Sequence, residues 1–131
     1  MKEKVSSPST GVRHLASALV NSLRGLRDAF RTAAAFRQEC ALGLLHYVAL
    51  ALVSAPVALK VALAVLWPLL LSAELVNSAI EAVVDLASPT WNLKARYAKD
   101  FGSAAVFVVV VTIAVLWGVL LGTVLSRGDS V

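Results

Sequence analysis

The sequence predicts an all-α membrane protein with an N-terminal amphipathic surface helix and three membrane-spanning helices. Three observations carry that prediction. Of 131 residues, 59% are hydrophobic and 15% charged, against roughly 45–50% apolar and about 25% charged in ordinary globular domains. Three long segments hold almost no charge. Ahead of them, a further segment repeats apolar residues at helical spacing with basic residues between.

Residues 1–10 are rich in Lys, Ser, Pro and Thr and read as a disordered tail, leaving 11–131 as one domain. From about 11 to 37, Leu15, Leu19, Leu23, Leu26 and Phe30 recur every three or four positions, with Arg24, Arg27 and Arg31 mostly elsewhere on the wheel. That is an amphipathic helix whose basic face suits an anionic membrane surface. The first span, about 40–59, carries no charge and is long enough for a hydrocarbon core of roughly 30 Å. It is expected to end near Ala55 and Pro56. After Lys60 the second span runs about 61–82, with Pro68 as a point of kinking. Ser88 and Pro89 interrupt the pattern, Lys94 to Asp100 form a short charged segment, and the third span covers about 101–126.

Basic residues set the expected orientation. Lys2, Lys4, Arg13, Arg24, Arg27, Arg31 and Arg37 precede the first span, and Lys94, Arg96 and Lys99 lie between the second and third. The other side carries only Lys60 and Arg127, so the N-terminus is expected in the cytoplasm and the C-terminus on the far side of the membrane, the periplasm if the chain is that of a Gram-negative bacterium. No short apolar region with a small-residue cleavage site lies near the N-terminus, so the first span is expected to target the chain. The net charge of +4 does not point to nucleic acid, because no stripe of base-stacking aromatics accompanies it. Cys40 is the only cysteine and forms no internal disulfide.

The informative stretch lies on the second span. At about 100° per residue, Glu74, Asn77, Ser78, Glu81 and Asp85 stay within about 60° of one line and form a polar stripe on an apolar helix. A charge in the membrane interior costs at least about 2.5 kcal/mol on insertion scales, so such a stripe points inward and toward function. Glu74 follows Lys60 by fourteen residues, about 21 Å of helix, which brings it near the cytoplasmic headgroups. A lipid hydroxyl sits at that depth, where a carboxylate can serve as general base. A glutamate hydrogen-bonded between helices is the structural alternative, and Asn77 can likewise be interhelical glue. Glu81 has the depth of a magnesium ligand, because Mg²⁺ is commonly held by one or two carboxylates together with substrate phosphates. It reads equally as a solvated interfacial charge, and Asp85 reads as interfacial.

Two charged clusters flank the stripe, Phe36-Arg37-Gln38-Glu39 before the first span and Ala98-Lys99-Asp100-Phe101-Gly102-Ser103 before the third. Lys99 can neutralise nucleotide phosphate and Asp100 can fix a partner or the nucleotide; without a motif both read as cytoplasmic-side charge decoration. Gly102, Ser103, Ala104 and Ala105 offer a small face for close helix contact. No Walker loop, protein-kinase catalytic loop or zinc spacing occurs.

The blocks Ala34-Ala-Phe-Arg-Gln-Glu39, Glu74-Leu-Val-Asn-Ser-Ala-Ile-Glu-Ala-Val-Val-Asp85 and Ala98-Lys-Asp-Phe-Gly-Ser-Ala-Ala105 together resemble, in order, the diagnostic blocks of the bacterial diacylglycerol kinase family. The resemblance covers about residues 11 to 122 and is similar to the Gram-negative branch rather than to the undecaprenol kinases. It implies a homotrimer that transfers the γ-phosphate of ATP to diacylglycerol, giving phosphatidic acid. It implies Glu74 as general base, Glu81 as Mg²⁺ ligand, and Asn77, Glu81, Lys99 and Asp100 as ATP contacts. Arg37, Gln38, Glu39, Glu74, Ser103 and Trp117 match positions lining the lipid site. Three positions depart from the family pattern. Its second metal-binding glutamate falls at Ala33, a nucleotide-contacting tyrosine at Asn21 and an N-terminal arginine at His14. Asp28 or Glu39 are alternative ligands. Undecaprenol as acceptor, and a catalytically weakened or non-catalytic membrane assembly homologue, therefore stand as alternatives, whereas a proton-coupled transporter fits the Lys-Asp pair poorly.

Overall fold

The computed structural model describes residues 11–128; the expected tail over 1–10 lies outside the described residues. Four helices follow in order: α1 (Val12–Thr32), α2 (Ala34–Leu52), α3 (Val57–Ala87) and α4 (Leu93–Gly128). Among the described residues there is no strand.

Helix α1 begins after Gly11, whose φ of 80° lies in the left-handed region that a glycine adopts without strain. None of its residues is buried, and Leu15, Leu19, Leu23, Leu26 and Phe30 are all exposed. Among the described residues nothing buries the apolar stripe, which suits a helix lying in a membrane interface. The surface helix ends earlier than its periodicity suggests, at Thr32 rather than near residue 37. Ala33 is extended, with φ −90° and ψ 111°. Nothing in Arg31-Thr-Ala-Ala-Ala35 punctuates a helix; the corner is held from outside by Arg37, whose Nη1 donates to the Phe30 and Arg31 carbonyls at 3.3 and 3.0 Å. A cation on the orphan carbonyls of a helix C-terminus both satisfies them and opposes the dipole.

The uncharged stretch 40–59 is not one helix. Helix α2 stops at Leu52, and Pro56 caps the start of α3, so residues 57–60 belong to the next helix. Proline biases Ala55 toward extended backbone and ends the helix before it. Lys60, now in the first turns of α3, reaches back to donate to the Val53 carbonyl at 3.2 Å. At its other end α3 runs past residue 82 to Ala87, closed by the Ser88 N–H on the Val84 carbonyl. Helix α4 starts at Leu93 rather than 101, because the Asn92 side chain accepts from the Lys94 and Ala95 N–H groups and caps the charged segment into the helix.

Helices α2, α3 and α4 form an antiparallel bundle. Pairings of Glu39 and Gly43 with Trp67, of His46 with Leu63, and of Val53 with Lys60 run α2 against α3. Pairings of Asn77 with Gly102 and Asp85 with Lys99 run α3 against α4. The buried positions Gly43, His46 and Leu50 on α2, Leu63, Leu70, Glu74 and Asn77 on α3, and Gly102, Ile113 and Leu120 on α4 are spaced as single helix faces. Leu63 and Leu120 are wholly buried. Leu59, Leu66, Val106, Val109, Leu116 and Val124 pack part-buried around that core, while Val61, Val65, Leu69, Phe101, Phe107 and Val108 are among the large apolar side chains left exposed. Two helices, α3 and α4, are long and apolar enough to cross a membrane. Helix α2 has 19 residues, about 28 Å of rise, with Arg37, Gln38 and Glu39 in its first turns.

Pro68 sits inside α3 and deprives the Ala64 carbonyl of its helical donor. The Tyr47 hydroxyl of α2 donates to that carbonyl at 2.9 Å, which is how a membrane helix tolerates proline. Gly43 makes room for this packing, since a Cβ there would run into the Trp67 indole nitrogen. Gly43→Ala is therefore expected to displace Trp67 and destabilise the bundle by about 1–3 kcal/mol, the cost of overpacking. A lowered unfolding temperature in detergent, with a shifted tryptophan emission, is the readout.

Candidate functional site

The polar stripe of α3 grades from buried to open along the helix. Glu74 and Asn77 are 6% and 7% exposed, Ser78 is half-buried, and Glu81 and Asp85 are exposed. An apolar helix can carry these groups only where neighbours cover them, and α2 and α4 do so.

Glu39 supplies the first cover. It lies on α2, close enough for the Glu74 carboxylate to act on it electrostatically, and its Oε2 is buried with no hydrogen-bond partner. Two carboxyl groups thus lie within electrostatic reach of each other, and one buried oxygen is left as an acceptor. Such an arrangement suits a ligand that brings a hydrogen-bond donor, because an unsatisfied buried acceptor costs roughly 1–3 kcal/mol. The backbone carbonyl of Glu39 is held by the Trp67 Nε1–H at 3.3 Å, so α3 fixes the α2 turn that presents the carboxylate. On α3 itself, Ser78 hydrogen-bonds the Glu74 side chain one turn on, and Glu81 acts on it electrostatically.

Asn77 links this buried pair to the open end. Its Nδ2 donates to Glu81 Oε1 at 3.2 Å, which orients the carboxylate, while its Oδ1 faces Gly102 of α4 and finds no conventional donor. A Cβ at Gly102 would run into that oxygen; the glycine lets α4 close onto the amide, leaving a weak Cα–H donor there.

The charged residues around the α3–α4 turn form a second group. Lys99 pairs with Asp85 at 2.5 Å, and Arg96 Nε with Asp100 Oδ2 at 3.2 Å. They line a polar cavity of about 360 Å³ together with Trp91 and Asn92. These pairs are largely exposed, so each contributes at most about 1 kcal/mol and exchanges readily for another anion or cation.

The residues singled out in the sequence thus fall into three places. Glu39, Glu74, Asn77 and Glu81 come together along α2 and α3. Lys99 and Asp100 sit at the α3–α4 turn, each already paired within the chain, and Asp85 is Lys99's partner rather than a bystander. Arg37 is committed to the end of α1, Gln38 and Ser103 are exposed, and Trp117 lies far down the bundle, where its Nε1–H donates to His46 Nδ1 at 3.1 Å. Sequence reasoning missed His46, Tyr47 and Trp67. A histidine inside an apolar span and a proline four residues beyond Ala64 were the available signals, because each demands a polar partner in a neighbouring helix.

As to metal, no group of three or more His, Cys, Asp or Glu side chains gathers among the described residues. Glu81 offers one exposed carboxylate, already oriented by Asn77, and Ala33 adds no oxygen ligand from its side chain. A hard-oxygen set of this size suits Mg²⁺ only when phosphate oxygens and water complete it.

Residues 20–121 match the family model described as prokaryotic diacylglycerol kinase. The sequence is 38% identical over 112 residues to a diacylglycerol kinase of Pseudomonas aeruginosa, covering 86% of this chain and 91% of that one. It is 36% identical over 114 residues to a diacylglycerol kinase of Haemophilus influenzae, covering 86% and 96%. A diacylglycerol kinase of Escherichia coli is 35% identical over 117 residues, covering 89% and 96%.

Proposed function

The chain belongs to the prokaryotic diacylglycerol kinase family, and from that premise we propose that it transfers the γ-phosphate of ATP to the hydroxyl of diacylglycerol at the cytoplasmic face of the inner membrane. The observation that carries this reading is the buried Glu74 carboxylate beside the unpartnered Glu39 Oε2. A lipid hydroxyl placed there donates to the carboxyl pair. Glu74 takes its proton as the hydroxyl oxygen bonds to the γ-phosphorus and the bond to the β–γ bridging oxygen breaks, releasing ADP and phosphatidic acid.

Phosphoryl transfer asks a protein mainly for positioning and charge neutralisation. Lys99 supplies the positive charge by exchanging Asp85 for phosphate, which an exposed pair permits. Asn77 keeps Glu81 turned toward the phosphates, and Glu81 would hold Mg²⁺. Mg²⁺, when bound, neutralises charge developing on the phosphate oxygens. Asp100 and Arg96 border the same cavity and frame the nucleotide. Helix α1 lies on the cytoplasmic leaflet, α2 makes a third crossing beside α3 and α4, and three chains assemble so that neighbours complete the sites one bundle leaves open.

The test is transfer of labelled γ-phosphate from ATP by the purified full chain, with diacylglycerol and undecaprenol offered separately. Label in diacylglycerol is expected. Label in undecaprenol alone would make it an undecaprenol kinase, and label in neither would leave a non-catalytic assembly homologue, the reading that Ala33 favours.

Topology is open to a separate check. Ten basic residues flank the spans on the N-terminal side against two on the other, so reporter fusions are expected to place the N-terminus inside and the C-terminus outside. The reverse pattern would put Glu81 and Lys99 on a side without ATP.

A further inference from the structure

His46 is 6% exposed in the middle of α2, and both of its ring nitrogens are engaged. The Trp117 indole is a donor only, so His46 Nδ1 is the acceptor at 3.1 Å and Nε2 carries the proton, which it donates to the Leu63 carbonyl at 3.2 Å. The imidazole stacks on Trp67 at 4.4 Å and 29° and meets Trp117 edge-on at 5.7 Å and 81°. Trp67 in turn donates to the Glu39 carbonyl. An unbroken series of contacts therefore runs from Trp117 on α4 through His46 and Trp67 to the backbone of Glu39.

Depth gives the series a use. Leu63 precedes Glu74 by eleven residues, about 16 Å along α3, or half of a hydrocarbon core roughly 30 Å thick. A lipid whose hydroxyl lies at Glu74 has its chain ends at the level of His46 and Trp117. Trp117 is only half-buried, and the adjoining Gly118 opens onto free space, so part of the residue lies at the surface of the bundle at that level. The bond to His46 satisfies the indole N–H at that depth, and losing it would leave a donor in an apolar setting at a cost of about 1–3 kcal/mol.

We propose that His46 is a positioning residue for acceptor specificity: it holds Trp117 at the level where acyl chains end, and so favours long-chain over short-chain diacylglycerol. This rests on the reading of diacylglycerol as acceptor and of Trp117 as lining the lipid end. Stitching of α2 to α3 does not depend on it, because Tyr47 to Ala64 and Trp67 to Glu39 already join those helices.

The test uses the full chain in phosphatidylcholine vesicles and two readouts. Binding is followed by quenching of tryptophan emission with long-chain diacylglycerol brominated near its chain ends, with dihexanoylglycerol as competitor; turnover is followed against ATP and each lipid. His46→Phe keeps the ring and loses both hydrogen bonds, and is expected to weaken long-chain binding about fivefold, the worth of one hydrogen bond, with dihexanoylglycerol binding and the KM for ATP within about twofold of wild type. His46→Gln retains a donor and an acceptor and should restore long-chain binding. Trp117→Phe, read by the KM for long-chain diacylglycerol because the variant lacks the reporting indole, should reproduce the loss, with no further loss in the double variant. Unchanged long-chain binding in His46→Phe, or equal weakening for both lipids, overturns the proposal. Should His46→Phe fail to insert, an unchanged KM for long-chain diacylglycerol in Trp117→Phe overturns it instead. Wild-type protein that binds the long-chain lipid without phosphorylating it would sink the kinase reading and leave this one standing. Absence of saturable quenching in wild type would overturn this proposal, while turnover with long-chain diacylglycerol decides the kinase reading separately.

Discussion

Glu74→Gln is expected to lower phosphoryl transfer to diacylglycerol by about 10²–10⁴-fold, the range attached to a positioned general base, while the protein still inserts and assembles. The amide has the size of the carboxylate and keeps hydrogen bonds to Ser78 available, but it cannot take a proton from the lipid hydroxyl. Burial makes the effect large: at 6% exposure Glu74 is shielded from water that could act in its place. Glu39 is the neighbouring carboxyl group that is also shielded by burial, whereas Glu81, the other one within electrostatic reach, is exposed. Comparing Glu74→Gln with Glu39→Gln and the double variant in the labelled-phosphate assay therefore identifies the base. Retention of a tenth or more of wild-type turnover in Glu74→Gln would remove it from that role.

The second large effect is expected at Ala33. If Glu81 is the single protein carboxylate on Mg²⁺, as proposed, the ion would be held mainly by nucleotide phosphates, and activity should need unusually high Mg²⁺. Ala33→Glu is expected to lower the Mg²⁺ concentration for half-maximal activity by roughly tenfold, because oxygen-ligand sites gain affinity with ligand charge. The backbone accommodates the change: φ −90° and ψ 111° suit any residue, and the bonds from Ala33 N–H to the Ala29 carbonyl and from Arg37 N–H to the Ala33 carbonyl involve no side chain. The gain should vanish in the Ala33→Glu, Glu81→Gln double variant, since the two carboxylates work as one site. An unchanged Mg²⁺ requirement in folded Ala33→Glu would place the metal elsewhere.

Much of the helical pattern is readable because lipid imposes strict rules on a chain. Charge is costly in hydrocarbon, so long uncharged runs mark α3 and α4, and the period of Leu15, Leu19, Leu23 and Leu26 marks α1. The same cost makes Glu74 and Asn77 conspicuous, and their spacing places them on one face before any neighbour is known. Where the helices stop is less legible. Pro56 announces one break, but the corner at Ala33 has no local signature, because Arg37 makes it from four residues downstream. Asn92 draws the charged segment 94–100 into α4, which hydropathy by itself leaves outside the span.

The sequence by itself determined the all-helical membrane character, the long apolar segments of α3 and α4 and the stripe that carries the carboxylates, because each follows from hydropathy and helical period within one segment. Only the tertiary structure decided that Glu39 faces Glu74, that Lys99 meets Asp85, that Gly102 admits Asn77, and that His46 joins Trp117 across 71 residues of chain. Helical period says which side chains share a face, but which faces meet, and at what height, depends on how three helices pack and slide against one another. That register is set by a few close contacts, Gly43 on Trp67 and Tyr47 on the carbonyl freed by Pro68, which lie far apart in sequence and become neighbours only when the bundle closes.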